Sequence, residues 1–232
     1  DTVLVAGQGP IGLMFTRLLA LQGMRVVATD LLQTRLDLAR EFGAASVIKI
    51  RRPKPEDRRK AEVQNQESED RGQRTEDRGR RTEDGGQGTA TRNTQHASRI
   101  MHHASLSTTV TQLTRGRGLD AAVIAVPSDA VVREAQSLVR GAGQVLLFSH
   151  TRRGDEMAVD LATVCVDEKD LIGSYSADFR LQAEVARLVF SRKLDARRLI
   201  THQLPLAQTA TAIELASHPT ADSLKVVVVQ GE

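Results

Sequence analysis

The sequence predicts an α/β protein built on a doubly wound parallel sheet. Three observations predict it: the first 50 residues alternate short β-branched apolar runs with stretches of helical apolar spacing, a glycine-rich turn follows the first run directly, and the same alternation resumes beyond residue 95. Strand, helix, strand, helix, strand within 50 residues is a βαβαβ unit, whose crossovers are expected to be right-handed.

TVLVA at 2–6 is a short continuous apolar run of the kind buried on both faces of a parallel sheet. The turn GQGPIG occupies 7–12. Beyond it Ile11, Phe15, Leu18 and Leu19 recur at helical spacing, and Gly23 is placed to end that helix. RVVAT at 25–29 is a second strand that runs into Asp30, residues 33–42 form a second helix followed by Gly43, and AASVIKI at 44–50 supplies a third strand.

From residue 51 to about 95 the pattern stops. Only Ala61, Val63 and Ala90 are apolar there, too few to offset the entropy of ordering the segment. SEDRGQR, TEDRGRR and TEDGGQG repeat at 68–88 with a period of seven, yet no apolar residue occupies a coiled-coil position, and Gly72, Gly79 and Gly86 recur instead. The segment is expected to be a disordered, low-complexity insertion.

The rhythm then returns. Leu106, Val110 and Leu113 mark a helical face, DAAVIAV at 120–126 a fourth strand, and Val131, Ala135 and Leu138 the inner side of a helix over 129–139. QVLLFS at 144–149 follows the turn glycines Gly141 and Gly143 as a fifth strand; Met157, Val159 and Leu161 alternate as a lesser strand; and LIGSY at 171–175 is a sixth sheet strand. A helix from about 178 to 191 is expected to turn Leu181, Val185, Leu188 and Val189 inward. A short helix around 207–216 precedes KVVVV at 225–229, a strand without an evident sheet.

The glycine turn carries the chemistry. Between a strand and a helix, Gly7 permits the tight turn, Gly9 admits a pyrophosphate against the backbone, and Gly12 lets helix pack closely on strand. Pro10 costs nothing at the first helical position, and the helix start around Ile11 presents N–H groups and positive potential to phosphates. Asp30, at the end of the second strand, can accept both hydroxyls of an adenosine ribose and would repel a 2′-phosphate, which favours NAD over NADP. Arg35 runs against that preference, since a nearby guanidinium can receive a phosphate. Loops after the fourth and fifth strands should line the same cleft, which nominates Val126, Pro127 and Ser128, and then Phe148 and Ser149.

Composition excludes several classes. Lys and Arg number 32 against 29 Asp and Glu, and the segment 51–95 alone carries twelve bases and ten acids, so the remainder is almost neutral. With one Tyr, no Trp and interleaved charge there is neither a stacking platform nor a basic stripe for nucleic acid. Cys165 stands alone, which excludes an internal disulfide and any CxxC motif. His102, His103, His150, His202 and His218 form no metal-ligand pattern with Cys, Asp or Glu, and no nucleophile elbow is present. No apolar run approaches a membrane span and no signal-type segment opens the chain, so no membrane is expected and the expected location is cytoplasmic.

Taken together, VLVAGQGPIGLMFTRLLALQGMRVVATDLLQTRLDLAREFGAASVI, TRGRGLDAAVIAV, RGAGQVLLF, EKDLIGSYSA, LITHQLPLAQTATAIELA and LKVVVV resemble the Rossmann-type coenzyme-binding portion of the zinc-containing medium-chain alcohol, polyol and threonine dehydrogenases. The resemblance implies NAD-dependent oxidation of a small alcohol or polyol, with hydride passing to the nicotinamide and a catalytic zinc acting as Lewis acid. It places Gly7, Gly9, Gly12, Asp30 and Arg35 near the dinucleotide. Zinc ligands in that family belong to an N-terminal catalytic domain, for which these residues are expected to hold no counterpart, so no metal site and no catalytic residue is assigned and zinc is expected only with that domain.

The resemblance divides the chain into a first half of the dinucleotide-binding domain (1–50), the insertion (51–95), a second half (96–198) and a C-terminal tail (199–232) that completes the catalytic domain in the family. It also implies a homodimer or homotetramer through the sixth strand, between Leu171 and Tyr175. Alone, the chain is expected to bind cofactor weakly and to turn over no alcohol. A catalytically inert dinucleotide-binding or redox-sensing module, and use of the fold for another nucleotide, remain alternatives.

Overall fold

The computed structural model describes residues 1–51, 106–149, 154, 156–175 and 178–230. Apart from Arg51 these lie in one compact unit, formed by Asp1–Ile50 and Ala104–Glu232. The expected insertion with its heptads, and His102, His103 and His150, lie outside the described residues.

The first run becomes β1 (Thr2–Ala6), with every residue buried. Helix α1 (Pro10–Leu21) follows, then β2 (Arg25–Asp30), α2 (Gln33–Glu41) and β3 (Ser46–Lys49). After the insertion come α3 (Leu106–Thr114), β4 (Leu119–Ile124), α4 (Asp129–Leu138), β5 (Val139–Leu147), the short α5 (Leu161–Cys165) and β6 (Asp170–Gly173). The six strands form one parallel sheet in the order β3-β2-β1-β4-β5-β6. Winding reverses between β1 and β4, so the crevice beyond their carboxyl ends is a topological switch point, where ligands of open α/β sheets bind.

Alternation along β1 sends side chains to two cores. Val3 and Val5 pack with Val26 and Val123 beneath Phe15 and Leu19 of α1, while Leu4 and Ala6 join Leu106 and Val110 of α3 and Val132, Ala135 and Leu138 of α4. Leu13, Ala39 and Phe42 extend the first face toward Leu194 and Leu199. The helices therefore cover both faces of the sheet, as a doubly wound fold requires.

Four expectations need correction. Met157, Val159 and Leu161 do not make a strand: Asp160 Oδ1 accepts the Ala162 N–H at 2.9 Å and caps α5, so Leu161 starts a helix. The helix expected over 178–191 is a 3₁₀ turn, Phe179–Leu181, and then α6 (Gln182–Phe190). Leu188 and Val189 pack inward as expected, but Leu181 and Val185 are exposed. On α4 Val131, Ala135 and Leu138 pack against the core as expected, with Val132 beside them, but Gly141 and Gly143 lie within β5, which begins at Val139, and not in a turn before it. The run at 225–229 does have a partner. It forms β8 (Lys225–Val229), parallel to β7 (Ile200–Pro205) in a second, two-stranded sheet on which α7 (Thr209–Ser217) packs.

At the amino ends of the central strands a buried carboxylate acts as a clamp. Asp120 Oδ2 accepts the Thr2 N–H at 2.7 Å, Arg117 donates to both Asp120 oxygens at 2.8 and 2.9 Å, and Arg140 Nε donates to Oδ1 at 2.9 Å. Burial works to raise the Asp120 pKa, but the hydrogen bonds from Arg117, the Thr2 N–H and Arg140 outweigh it and hold the carboxyl well below the usual carboxylate range. A group with a depressed folded pKa stabilises the fold above its unfolded value of about 4, and that stabilisation is lost as the pH falls. Asp120→Asn is therefore expected to cost about 2 kcal/mol at neutral pH. Urea unfolding followed from pH 7 to pH 3 should show wild type losing more stability on acidification than the variant, and parallel curves would contradict the assignment.

Candidate functional site

The switch point is occupied by the glycine turn. Gly7 has φ +91°, its N–H donates to the Thr29 carbonyl at 2.9 Å, and a side chain there would run into Val126 Cγ1. A Cβ at Gly12 would collide with the carbonyl of Gly7, so only glycine lets α1 approach β1 this closely. Gly9 differs from both. It is the N-cap of α1, with Pro10 as the first helical residue, and nothing lies within 4 Å of where its side chain would project.

No side chain caps α1, and its first helical bond closes from the Leu13 N–H to the Gly9 carbonyl at 2.9 Å. The N-terminal end of the helix thus offers an uncapped, open, electropositive face at Gly9 and Ile11, the latter 40% exposed. The turn itself is rigid. Asp30, buried at the end of β2, accepts the Gln8 N–H on Oδ2 at 2.7 Å and the Leu32 N–H on Oδ1 at 2.9 Å. The fully buried Gln8 side chain donates to the Val5 carbonyl at 2.9 Å and accepts from Thr16 Oγ1 at 2.9 Å.

Arg35, on the first turn of α2, stands 3.9 Å from Asp30 Oδ2 and donates to the Ser223 carbonyl at 3.4 Å. Its Nε is buried and has no hydrogen-bond partner among the described residues. The other nominated residues lie at the same end of the sheet. Val126 packs under Gly7, and the Phe148 and Ser149 N–H groups both donate to the Ile124 carbonyl at 3.1 Å. The Phe148 ring meets Phe15 edge-on, with centroids 5.1 Å apart, so its contact among the described residues is with α1. Ser128 is the N-cap of α4, without a side-chain cap bond.

Sequence reasoning missed two residues here. Gln8 is a spacer in the glycine motif, and nothing in a polar spacer announces that it will be buried under the turn. Lys225 was read only as the start of an apolar run; with Pro10, Ile11, Leu215, Leu224 and Val226 it lines a cavity of about 300 Å³ beside the start of α1. Pairing of β7 with β8 is what brings a cation to that helix end, and it had no sequence signal because β7 itself was not foreseen. Among the described residues no group of three or more His, Cys, Asp or Glu side chains could hold a metal ion, and no helix is long and apolar enough to cross a membrane.

Comparison with protein-family models finds no match. Among curated proteins, the (R,R)-butanediol dehydrogenase of Neisseria gonorrhoeae is 46% identical over 48 residues, 21% of this chain and 14% of the relative. The erythritol/L-threitol dehydrogenase of Mycolicibacterium smegmatis is 24% identical over 231 residues, 99% of this chain and 49% of the relative. Among solved structures, an alcohol dehydrogenase from Thermus sp. ATN1 superposes with a TM-score of 0.69 at 22% identity, covering 100% of this chain and 51% of that one. An alcohol dehydrogenase from Escherichia coli, complexed with NADH, superposes with a TM-score of 0.66 at 18% identity, covering 97% and 51%. These likenesses show a Rossmann-like fold shared with dehydrogenases. The chain spans about half the length, or less, of the relatives it matches.

The glycines separate by their surroundings. Gly7→Ala and Gly12→Ala are each expected to lower stability by about 1–3 kcal/mol, through a left-handed backbone and a clash respectively. Gly9→Ala should stay within about 0.5 kcal/mol of wild type. Thermal or urea unfolding of the three variants checks this, and equal losses would show that the turn is not built as described.

Proposed function

We propose that this chain is the coenzyme-binding portion of an NAD-dependent dehydrogenase of the zinc-containing medium-chain type, acting in the complete protein on a small alcohol or polyol. The single observation that carries the reading is the joint between the glycine turn and Asp30. A carboxylate that spends one lone pair of each oxygen on Gln8 and Leu32 backbone N–H groups keeps others to accept two ribose hydroxyls. Arg35, engaged with Asp30 and the Ser223 carbonyl, does not offset the repulsion that Asp30 offers to a 2′-phosphate. NADP is accordingly the weaker ligand.

The residues of this chain act on the nucleotide in a definite order along it. Asp30 orients the adenosine ribose, Gly9 gives the pyrophosphate a side-chain-free approach, and the start of α1 at Pro10, Ile11 and Gly12 supplies the positive end of the helix dipole. Lys225, which lines a cavity with Pro10 and Ile11, adds a cation near the phosphates. Val126, Phe148 and Ser149 line the cleft toward β4 and β5. The nicotinamide, when bound, supplies the hydride acceptor. The described residues offer no zinc ligand set, so no step is assigned to the metal. A second copy of the chain is proposed to pair along β6 between Leu171 and Tyr175, where Ile172 on the terminal strand of the sheet and Tyr175 just beyond its end are exposed.

Calorimetric titration tests the assignment. NAD is expected to bind at least tenfold more tightly than NADP, and Asp30→Ser to abolish that preference. Gly9→Val should remain folded while weakening NAD about tenfold or more by occupying the pyrophosphate approach. A clear preference for NADP, or an unchanged NAD affinity in Gly9→Val, would overturn the reading.

A further inference from the structure

A second cavity, of about 250 Å³, lies well away from the glycine turn. It is lined by Arg17 of α1, Glu41 and Phe42 at the carboxyl end of α2, and Arg192, Lys193, Asp195 and Arg198 from the segment after α6. Arg17 stands seven residues past Pro10, about 10 Å along the axis of α1. The cavity is therefore at the opposite end of α1 and α2 from the dinucleotide cleft.

Its charges do not cancel. Glu41 is paired with Arg198, whose guanidinium also lies 5.7 Å from the centroid of the Phe42 ring. Asp195 takes two hydrogen bonds from Arg197, at 2.9 and 3.0 Å. The two carboxylates are thus each held by an arginine, while Arg17, Arg192 and Lys193 line the same cavity and, among the described residues, form no salt bridge; Arg192 acts on Asp195 only through its charge, behind the hydrogen bonds from Arg197.

Two of these cations are positioned by the fold. Arg17 is half-buried, its Nε donates to the Lys193 carbonyl, and the side-chain-free Gly43 lies beside its Nη1. Arg192 has φ +58°, the left-handed conformation that a glycine would adopt without strain at the end of a helix. The Arg192 N–H donates to Val189 and the Leu194 N–H to Leu188, both at 3.0 Å, and the following Leu194 and Leu199 are buried. An arginine is thus kept at a position where its backbone conformation is unfavourable and its charge faces a cavity that already carries excess positive charge.

We propose that this cavity is a binding site for a phosphate-class oxyanion, free or as a phosphomonoester, separate from the dinucleotide cleft and held by Arg17, Arg192 and Lys193. Planar guanidinium forks match the oxygens of such an anion, and Lys193 adds a mobile point charge. Site occupancy would tie α1, the end of α2 and the segment after α6 together.

Arginine Nε–Hε NMR signals of the full chain, titrated with inorganic phosphate and separately with glycerol phosphate, test the site without interference from ions bound at the glycine turn. Saturable shifts are expected at Arg17 and Arg192, and the ligand that gives the lower Kd identifies the free ion or the ester as the preferred form. Arg192→Gly, which suits the left-handed backbone and should fold, is expected to weaken binding read at Arg17 at least tenfold, and Lys193→Ala to weaken it further. Shifts no larger than those produced by chloride at matched ionic strength, or binding at Arg17 unchanged in Arg192→Gly, would overturn the proposal.

Discussion

The hydrogen bond from the Gln8 N–H to the buried carboxylate of Asp30 joins the end of β2 to the turn that leaves β1. A turn between a buried strand and a helix must dispose of backbone N–H groups away from water, and a charged acceptor is the strongest partner the chain can offer. Because Asp30 fills that role, Gly7 is drawn into a left-handed conformation over Val126 and α1 starts close against the sheet. The absence of a side chain at Gly12 then becomes obligatory. Gln8 closes the structure from within, since its buried amide links the Val5 carbonyl to Thr16 one turn and a half into the helix. Weakening the Asp30 bond would loosen the strand ends, the helix start and the ligand cleft together.

The sheet is held at both ends by aspartates with different duties. Asp120, at the amino ends, is saturated by two arginines and the Thr2 N–H and has little left to offer a ligand. Asp30, at the carboxyl ends, accepts only two backbone N–H groups and keeps acceptor capacity toward the cleft. The same side chain is a saturated structural clamp where its partners are arginines and retains free acceptor capacity, which the proposed function assigns to a ribose, where its partners are backbone amides. Arg35 does not make Asp30 a second Asp120, because at 3.9 Å it screens one oxygen without donating a close hydrogen bond to it.

The βαβαβ half, the turn and Asp30 were legible because each rests on local signals: β-branched apolar runs, glycines at fixed offsets and an acid at a strand end. What failed was what tertiary competition decides. The alternation Met157, Val159, Leu161 reads as a strand until Asp160 caps a helix in its middle. Leu181 and Val185 have the spacing of an inward face, yet α6 packs through Leu188 and Val189 toward Leu194, leaving them exposed. In β7, Ile200, His202 and Leu204 alternate with polar or exposed residues too weakly to declare a strand, so the partner of KVVVV stayed hidden and Lys225 with it. Gln8 illustrates the remaining limit, since its burial follows from how the turn folds it back onto the Val5 carbonyl and the Thr16 hydroxyl and not from its own polar character.

The proposed role depends on whether the start of α1 and Asp30 receive one ligand together. Backbone hydrogen exchange resolved by residue, with and without NAD, measures this most directly. The account predicts that NAD slows exchange of the Gln8, Ile11, Gly12 and Leu32 amides together, while those of β7 distant from Lys225 and of α3 change little. Protection confined to other segments, or none at saturating NAD, would contradict it.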